Sequence, residues 1–177
     1  MRVVAGELRG RRIEAPAGGS TRPTTDKVRE AVFNALGSLD LVRDARVADL
    51  FAGTGALGIE ALSRGAAHCT FVERDREALR FLRGNIDHLG LAERSRVVGG
   101  DATAQAAQLD VDLVFADPPY EADGWIDLLG ALRAPFLVAE AGRSLESLDG
   151  LADAGWRATR SKRYGRTWVT FFERIDR

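Results

Sequence analysis

The sequence predicts an α/β fold in which a mostly parallel sheet is covered by helices on both faces and finished by an antiparallel hairpin. Three observations carry this. From Arg46 onward, short apolar runs alternate with helical stretches, the pattern of βαβ units. A glycine-rich segment follows the first of those runs, where such sheets turn to receive a ligand. Residues 156–173 break the pattern and alternate around Tyr164-Gly165, as a terminal hairpin does.

Taken in order, Arg2 to Ala5 and Arg11 to Glu14 flank Gly6 to Gly10 and predict a small β-hairpin. Ala15 to Thr21 is rich in Pro, Gly and Ser and predicts a loop. Thr24 or Thr25 then caps a helix running to about Leu36. Its apolar stripe is Val28, Val32, Phe33 and Leu36, and Gly37 is its expected stop. Strands are predicted over 47–51, 69–72, 96–98, 113–116 and 135–138, with helices over 56–64, 75–89, 101–108 and 124–132. The closing hairpin pairs 156–162 with 166–173. Residues 1–43 read as an extension and 44–177 as the core of one compact unit.

A chain of 177 residues with 45% hydrophobic content suits one packed domain. It has a single cysteine, which cannot form an internal disulfide and points to a reducing, cytoplasmic setting. Neither a leader after Met1 nor an apolar run of the ~18 residues a membrane span needs is present. The net charge of −1 hides an uneven distribution. Residues 1–29 hold seven Lys/Arg against three Asp/Glu, and residues 156–177 hold seven against two. Both ends are basic and the middle is acidic, so the ends could contact phosphates. Charge asymmetry without any such use is equally compatible with these numbers.

Asp49-Leu50-Phe51-Ala52-Gly53-Thr54-Gly55-Ala56-Leu57-Gly58 sits at the first strand-to-helix turn of the sheet. Glycines there let the backbone turn sharply and approach a ligand. Gly53, Gly55 and Gly58 satisfy G-x-G-x-x-G, and Glu73 follows Gly53 by twenty residues, where that fingerprint places a ribose-binding acid. The pattern fits a nicotinamide cofactor and S-adenosyl-L-methionine alike, since both present an adenosine. Asp101, in Gly99-Gly100-Asp101-Ala102, stands at the carboxyl end of the third strand. It could accept from an adenine amino group while also capping its helix. Asp49, Phe51, Gly53, Gly55, Glu73, Arg74, Asp101, Ala102 and Asp117 form the predicted cofactor contacts.

Asp117-Pro118-Pro119-Tyr120 directly follows the apolar strand Leu113 to Ala116. Two prolines fix φ and remove two N–H donors, which makes a stiff loop with carbonyls available as acceptors. An exocyclic base amine is a poor nucleophile because its lone pair is delocalised into the ring. Accepting both of its hydrogens, with the Asp117 carboxylate and the Pro118 carbonyl, favours a pyramidal nitrogen whose lone pair can aim at a methyl carbon. Tyr120 would stack on the base, which must leave its own stack to enter. Asp117, Pro118, Pro119 and Tyr120 are thus the candidate catalytic residues, acting by position and electrostatics. A plain strand-ending turn is the simpler reading of the tetrapeptide alone.

These residues resemble a known family. Asp49 to Gly58 is similar to the cofactor loop of Rossmann-like, seven-stranded class I methyltransferases, and Asp117 to Tyr120 resembles their [DNS]-P-P-[YF] motif for planar amino groups. Arg2-Val3-Val4-Ala5-Gly6, Arg9-Gly10-Arg11 and Thr21 to Glu30 with Phe33-Asn34 are similar to the RsmD family of bacterial 16S rRNA guanine-N2 methyltransferases. Gly55 to Arg64 continues the likeness, which covers nearly the whole chain. The resemblance implies S-adenosyl-L-methionine as cofactor, with Glu73 on its ribose, Asp101 on its adenine and Asp117 to Tyr120 on the target guanine. It places Arg22, Thr24, Thr25 and Arg29 beside the cofactor and the RNA entrance. It also implies 16S rRNA in the small subunit, or an assembly intermediate of it, as partner. Arg9, Arg11, Arg12, Arg163 and Arg166 are further expected RNA contacts, and the chain is expected to act as a monomer.

Other readings set limits. His68 and His88 have no partners at ligand spacing, so no metal site is predicted. Cys69 falls inside a strand and reads as a small core residue. Trp156 and Trp168 read as hairpin packing, and Trp125 as packing near the Asp117 loop. The alternatives are a nicotinamide oxidoreductase, a non-catalytic RNA-binding assembly factor, a DNA amino methyltransferase and, more remotely, a glutamine methyltransferase.

Overall fold

The structure is a computed structural model that describes residues 1–17, 26–119 and 123–175. Seven strands form one sheet in the order β3-β2-β1-β4-β5-β7-β6. They are β1 (Arg46–Leu50), β2 (His68–Glu73), β3 (Ser95–Gly99), β4 (Leu113–Ala116), β5 (Phe136–Ala141), β6 (Trp156–Tyr164) and β7 (Thr167–Arg174). The first five are parallel, β7 runs antiparallel to β5, and β6 pairs antiparallel with β7 at the edge. The mostly parallel sheet with a terminal antiparallel hairpin is the architecture expected from the sequence.

Helices α1 (Asp26–Ser38), α2 (Ala56–Ser63) and α3 (Arg76–Leu89) lie on one face, and α4 (Ala102–Ala106) and α5 (Trp125–Ala131) on the other. Strand period decides which side chains each layer receives. Val47, Cys69, Phe71, Leu113, Phe115 and Val138 pack towards α1–α3, while Ala48, Val72, Val114, Ala116 and Leu137 pack towards α4 and α5. Among the described residues no helix is long and apolar enough to cross a membrane.

α1 buries the predicted stripe of Val28, Val32, Phe33 and Leu36. Phe33 meets Phe115 of β4 at 5.3 Å between ring centroids. Gly37 does not stop the helix, contrary to expectation. The helix continues to Ser38, and the reversal falls to Asp40, whose φ of 52° is left-handed, with the Leu41 amide donating to the Leu36 carbonyl. The proposed caps Thr24 and Thr25 lie outside the described residues.

The amino-terminal hairpin is slighter than predicted. Its two arms make one antiparallel bridge, Arg2 with Arg12, plus hydrogen bonds between Val3 and Arg11 and between Gly10 and Val3. What fixes it is the core beneath. Val3 and Ile13 are buried in the same cluster as α1–α3, and the Glu7 amide donates to the Ser63 carbonyl at the end of α2.

Candidate active site

The carboxyl ends of the parallel strands form one edge, and the predicted site residues converge there. β1 ends at Leu50, and the chain must reverse at once to start α2. Phe51 takes up that reversal with φ 60°, an uncommon conformation for a non-glycine residue, followed by Gly53 at 55° and Gly55 at 89°. The three glycines differ in what they do. A Cβ on Gly53 would meet nothing within 4 Å, so its surface is open to a ligand. A Cβ on Gly55 would come within 2.5 Å of Leu82, and one on Gly58 within 2.3 Å of Phe71. Gly58 therefore serves close helix–sheet packing, as the third glycine of such loops does.

Two carboxylates organise this loop. Asp49, at the end of β1, is 2% exposed and accepts from the Gly58 amide at 2.8 Å. Burial raises its carboxyl well above the ordinary range against the lowering effect of that amide, and Asp117 and Glu73 nearby raise it further. Glu73, at the end of β2, accepts from Gly53 at 2.7 Å with one oxygen and from Arg74 and Asp75 at 2.8 Å with the other. Three backbone donors thus fix its orientation. A carboxylate has about four acceptor positions, so capacity remains for a vicinal diol such as a ribose.

Asp101 opens α4 and accepts from the Ala104 amide at 2.9 Å. It is an N-cap as anticipated, and its exposed carboxylate keeps further acceptor capacity. Ala102 is buried behind it, and the exposed Arg74 stands at the start of the turn into α3. Gly100 donates to the Glu73 carbonyl, which holds the ends of β2 and β3 together. An open glycine turn, an oriented carboxylate and a second acid on the adjacent strand fit an adenosine-bearing cofactor.

β4 pairs with β1 up to Ala116 opposite Leu50. Asp117 is therefore delivered beside the glycine loop, close enough for its charge to act on Asp49. Asp117 is half-buried, Pro118 is buried and Pro119 exposed, so the loop presents one face inward and one to solvent. Tyr120 and Arg22 lie outside the described residues. Cys69 is buried under Gly58, and burial pushes its thiol upward, in keeping with a core role. Among the described residues no group of His, Cys, Asp and Glu could hold a metal.

The predicted RNA-contacting residues divide three ways. Arg163 and Arg166 flank the β6–β7 turn; because Ala141, the last residue of β5, pairs with Trp168, that turn lies at the same carboxyl edge as Asp117. Arg9 and Arg11 do not reach this edge. The hairpin tip docks on Ser63 at the far end of α2, and Arg11 donates to the His88 carbonyl at the end of α3, both at the opposite edge. Arg12 is exposed on the hairpin arm that pairs with Arg2.

Arg29 requires correction as an RNA contact: it is 0% exposed. Its Nε meets Glu60 at 3.3 Å, and Nη2 meets Asp26 at 3.0 Å and the Arg2 carbonyl. Glu60, equally buried, also accepts from the Val4 and Ala5 amides and from Arg64. Arg29 is thus a structural pin between α1, α2 and the amino-terminal arm.

Two residues went unread in the sequence. Glu60 is the one acid in the apolar helix Ala56–Ser63, and that isolation was the available signal. Asn85 interrupts the α3 stripe of Leu82, Ile86 and Leu89. Its amide nitrogen donates to the Glu14 and Thr54 carbonyls and its oxygen accepts from the Glu14 amide. It therefore ties the amino-terminal arm to the glycine loop.

Comparison with known proteins agrees with this geometry. The family described as Conserved hypothetical protein 95 matches residues 1–173. A Bacillus subtilis protein, YlbH, described as an rRNA methyltransferase, is 39% identical over 98% of this chain and 99% of its own. Ribosomal RNA small subunit methyltransferase D of Escherichia coli is 43% identical over 68% of this chain, a match spanning 60% of that protein's length. Among solved structures, yhhF of Escherichia coli, described as a methyltransferase, superposes with a TM-score of 0.85 at 34% identity, covering 100% of this chain and 99% of that one. Given the family match, the near full-length relatives and a cofactor loop beside a D-P-P loop on one sheet edge, the chain belongs to the RsmD family of class I methyltransferases.

Proposed function

We propose that this protein transfers the methyl group of S-adenosyl-L-methionine to the exocyclic N2 of a guanine in 16S rRNA. Its substrate is the small ribosomal subunit or an assembly intermediate, and it acts in the cytoplasm as a monomer. The observation that carries the reading is the delivery of Asp117-Pro118-Pro119 by β4 to the edge where β1 and β2 present Gly53 and Glu73. The names of the relatives, rRNA methyltransferase and ribosomal RNA small subunit methyltransferase, support the choice of RNA.

Bound S-adenosyl-L-methionine supplies an electrophilic methyl group. In this reading Glu73 holds the ribose hydroxyls, Asp101 accepts from the adenine amine, and Phe51, Gly53, Gly55, Arg74 and Ala102 line the cofactor. Asp49 and Asp117 lend negative charge near the cationic end of the donor, and Thr24 and Thr25 border it. Asp117 and the Pro118 carbonyl accept the two hydrogens of the guanine N2 amine and so orient its lone pair. Pro119 stiffens the loop and Tyr120 stacks on the base, a contact worth roughly 1–3 kcal/mol. Arg9, Arg11, Arg12, Arg22, Arg163 and Arg166 contact RNA phosphates.

The test is transfer of labelled methyl to small subunits from cells lacking the enzyme, to naked rRNA and to duplex DNA, with digestion to nucleosides. N2-methylguanosine arising mainly from subunits is the expected result. Label on DNA adenine or cytosine would replace the reading with DNA amino methylation. No label, with cofactor binding intact, would leave an assembly factor.

A further inference from the structure

The two basic ends of the chain stand in different relations to the site. We infer that the carboxyl-edge end of the β6–β7 hairpin seats the RNA backbone that immediately flanks the target base, and that Arg143, Arg160 and Lys162 join Arg163 and Arg166 in doing so. The inference rests on the RNA-methylating reading above and adds the surface and direction by which the strand enters.

Position is the first argument. Arg143 follows directly on β5, the strand next to the one that delivers Asp117. Its segment is tied to the hairpin by a hydroxyl chain, Ser144 to Ser161 at 3.2 Å and Ser161 to Thr170 at 3.1 Å. Arg143 is thereby held beside Lys162 and Arg163. The turn that carries Arg166 is shaped locally, with Arg163 Nε donating to the Gly165 carbonyl at 2.8 Å and Gly165 at φ 62°.

Charge is the second. Edge strands commonly carry Lys and Arg to discourage pairing with other chains, and that would account for cations spread along β6. It does not account for how they are compensated. Near the amino edge Arg157 is paired with Glu173 at 2.8 Å. Near the carboxyl edge Arg143, Arg160, Lys162, Arg163 and Arg166 are all exposed, and none makes an ion pair among the described residues. Arg160 lies over the Phe171 ring at 5.9 Å and Lys162 over the Tyr164 ring at 5.2 Å, so their stems are supported while their charges face solvent.

Direction is the third. The other flank of the Asp117 loop, at the start of α4 and α5, carries the exposed acids Asp101, Asp123 and Asp127. A polyanion is repelled there and attracted at the hairpin. The strand bearing the flipped base therefore comes over β5–β7–β6, with its phosphates on the five cations. Such contacts supply sequence-independent affinity through counterion release.

The experiment is steady-state methyl transfer to small subunits at several salt concentrations, for wild type, a Lys162→Gln/Arg163→Gln/Arg166→Gln variant and Arg157→Gln. The triple variant should raise KM at least tenfold with kcat and melting temperature unchanged. It should also lower the log–log salt slope by about 2–3, at ~0.9 per lost phosphate contact. Arg157→Gln, on the same strand but already paired, should behave as wild type. An unchanged KM and salt slope in the triple variant, or equal effects from Arg157→Gln, would overturn the inference. If wild type itself forms no methylated guanosine on subunits, the functional reading fails first, and this inference with it.

Discussion

The two halves of the carboxyl edge are built differently. On the cofactor half, at β1 and β2, the key carboxylates are locked by backbone donors: Asp49 by Gly58, and Glu73 by Gly53, Arg74 and Asp75. On the target half, at β4 and β5, stiffness comes from two prolines and attraction from exposed cations near the β6–β7 turn. The difference follows from the ligands each half is proposed to take. A small cofactor is recognised by pre-oriented acceptors. A large polyanion needs a rigid pocket for one base and diffuse charge for the rest.

The largest expected effect strikes both halves together. Arg29→Met removes one partner of a pair in which both side chains are fully buried, so it should cost about 3–5 kcal/mol of stability by denaturant melting. Cofactor binding and turnover should then fall in step, because the pin between α1, α2 and the amino-terminal arm is lost. A selective loss of one activity at full stability would contradict that.

Glu73→Ala should separate the halves from the cofactor side. Loss of the charge-assisted bonds to a ribose, worth about 1.5–3 kcal/mol, predicts a cofactor Kd raised roughly 10- to 150-fold in calorimetry, with RNA affinity intact. Gly58→Ala should act on stability, by about 1–3 kcal/mol, since its Cβ would press on Phe71 and Cys69.

Asp49→Asn gives the smallest change and a pH signature. Folding raises the Asp49 carboxyl, chiefly by burial and further by Asp117 and Glu73, so the folded state holds its proton more tightly than the unfolded chain. Stability should therefore fall as pH rises from the ordinary carboxylate range to the raised value, and level off above it. The asparagine variant lacks that decline. In melts taken from pH 4 to pH 8 it should gain on wild type with rising pH, while binding cofactor more weakly. A difference that shrinks as pH rises would refute this.

Most of the fold was legible because strand and helix periods are local. The β1–β5 alternation, the glycine loop and the closing hairpin each declare themselves within a few residues. What escaped depends on distant partners. Arg29 looked like a surface cation, because the buried Glu60 that receives it lies 31 residues away in sequence. Glu14, Asn85 and Thr54 meet only through the tertiary fold. The arginines of the amino-terminal hairpin and those of the β6–β7 turn read alike in sequence, yet the register of β5 with β7 brings the turn to the Asp117 edge while Ser63 draws the other tip away.

The central claim is that one edge holds donor and target on separate residues, and Asp117→Asn tests it most directly. Cofactor affinity and single-turnover methyl transfer to small subunits should be measured on the same preparation. The account predicts a cofactor Kd within a few-fold of wild type and a transfer rate lower by about 100-fold or more, the scale of losing one positioned electrostatic group. An unchanged transfer rate, or a loss explained wholly by weaker cofactor binding, would contradict it.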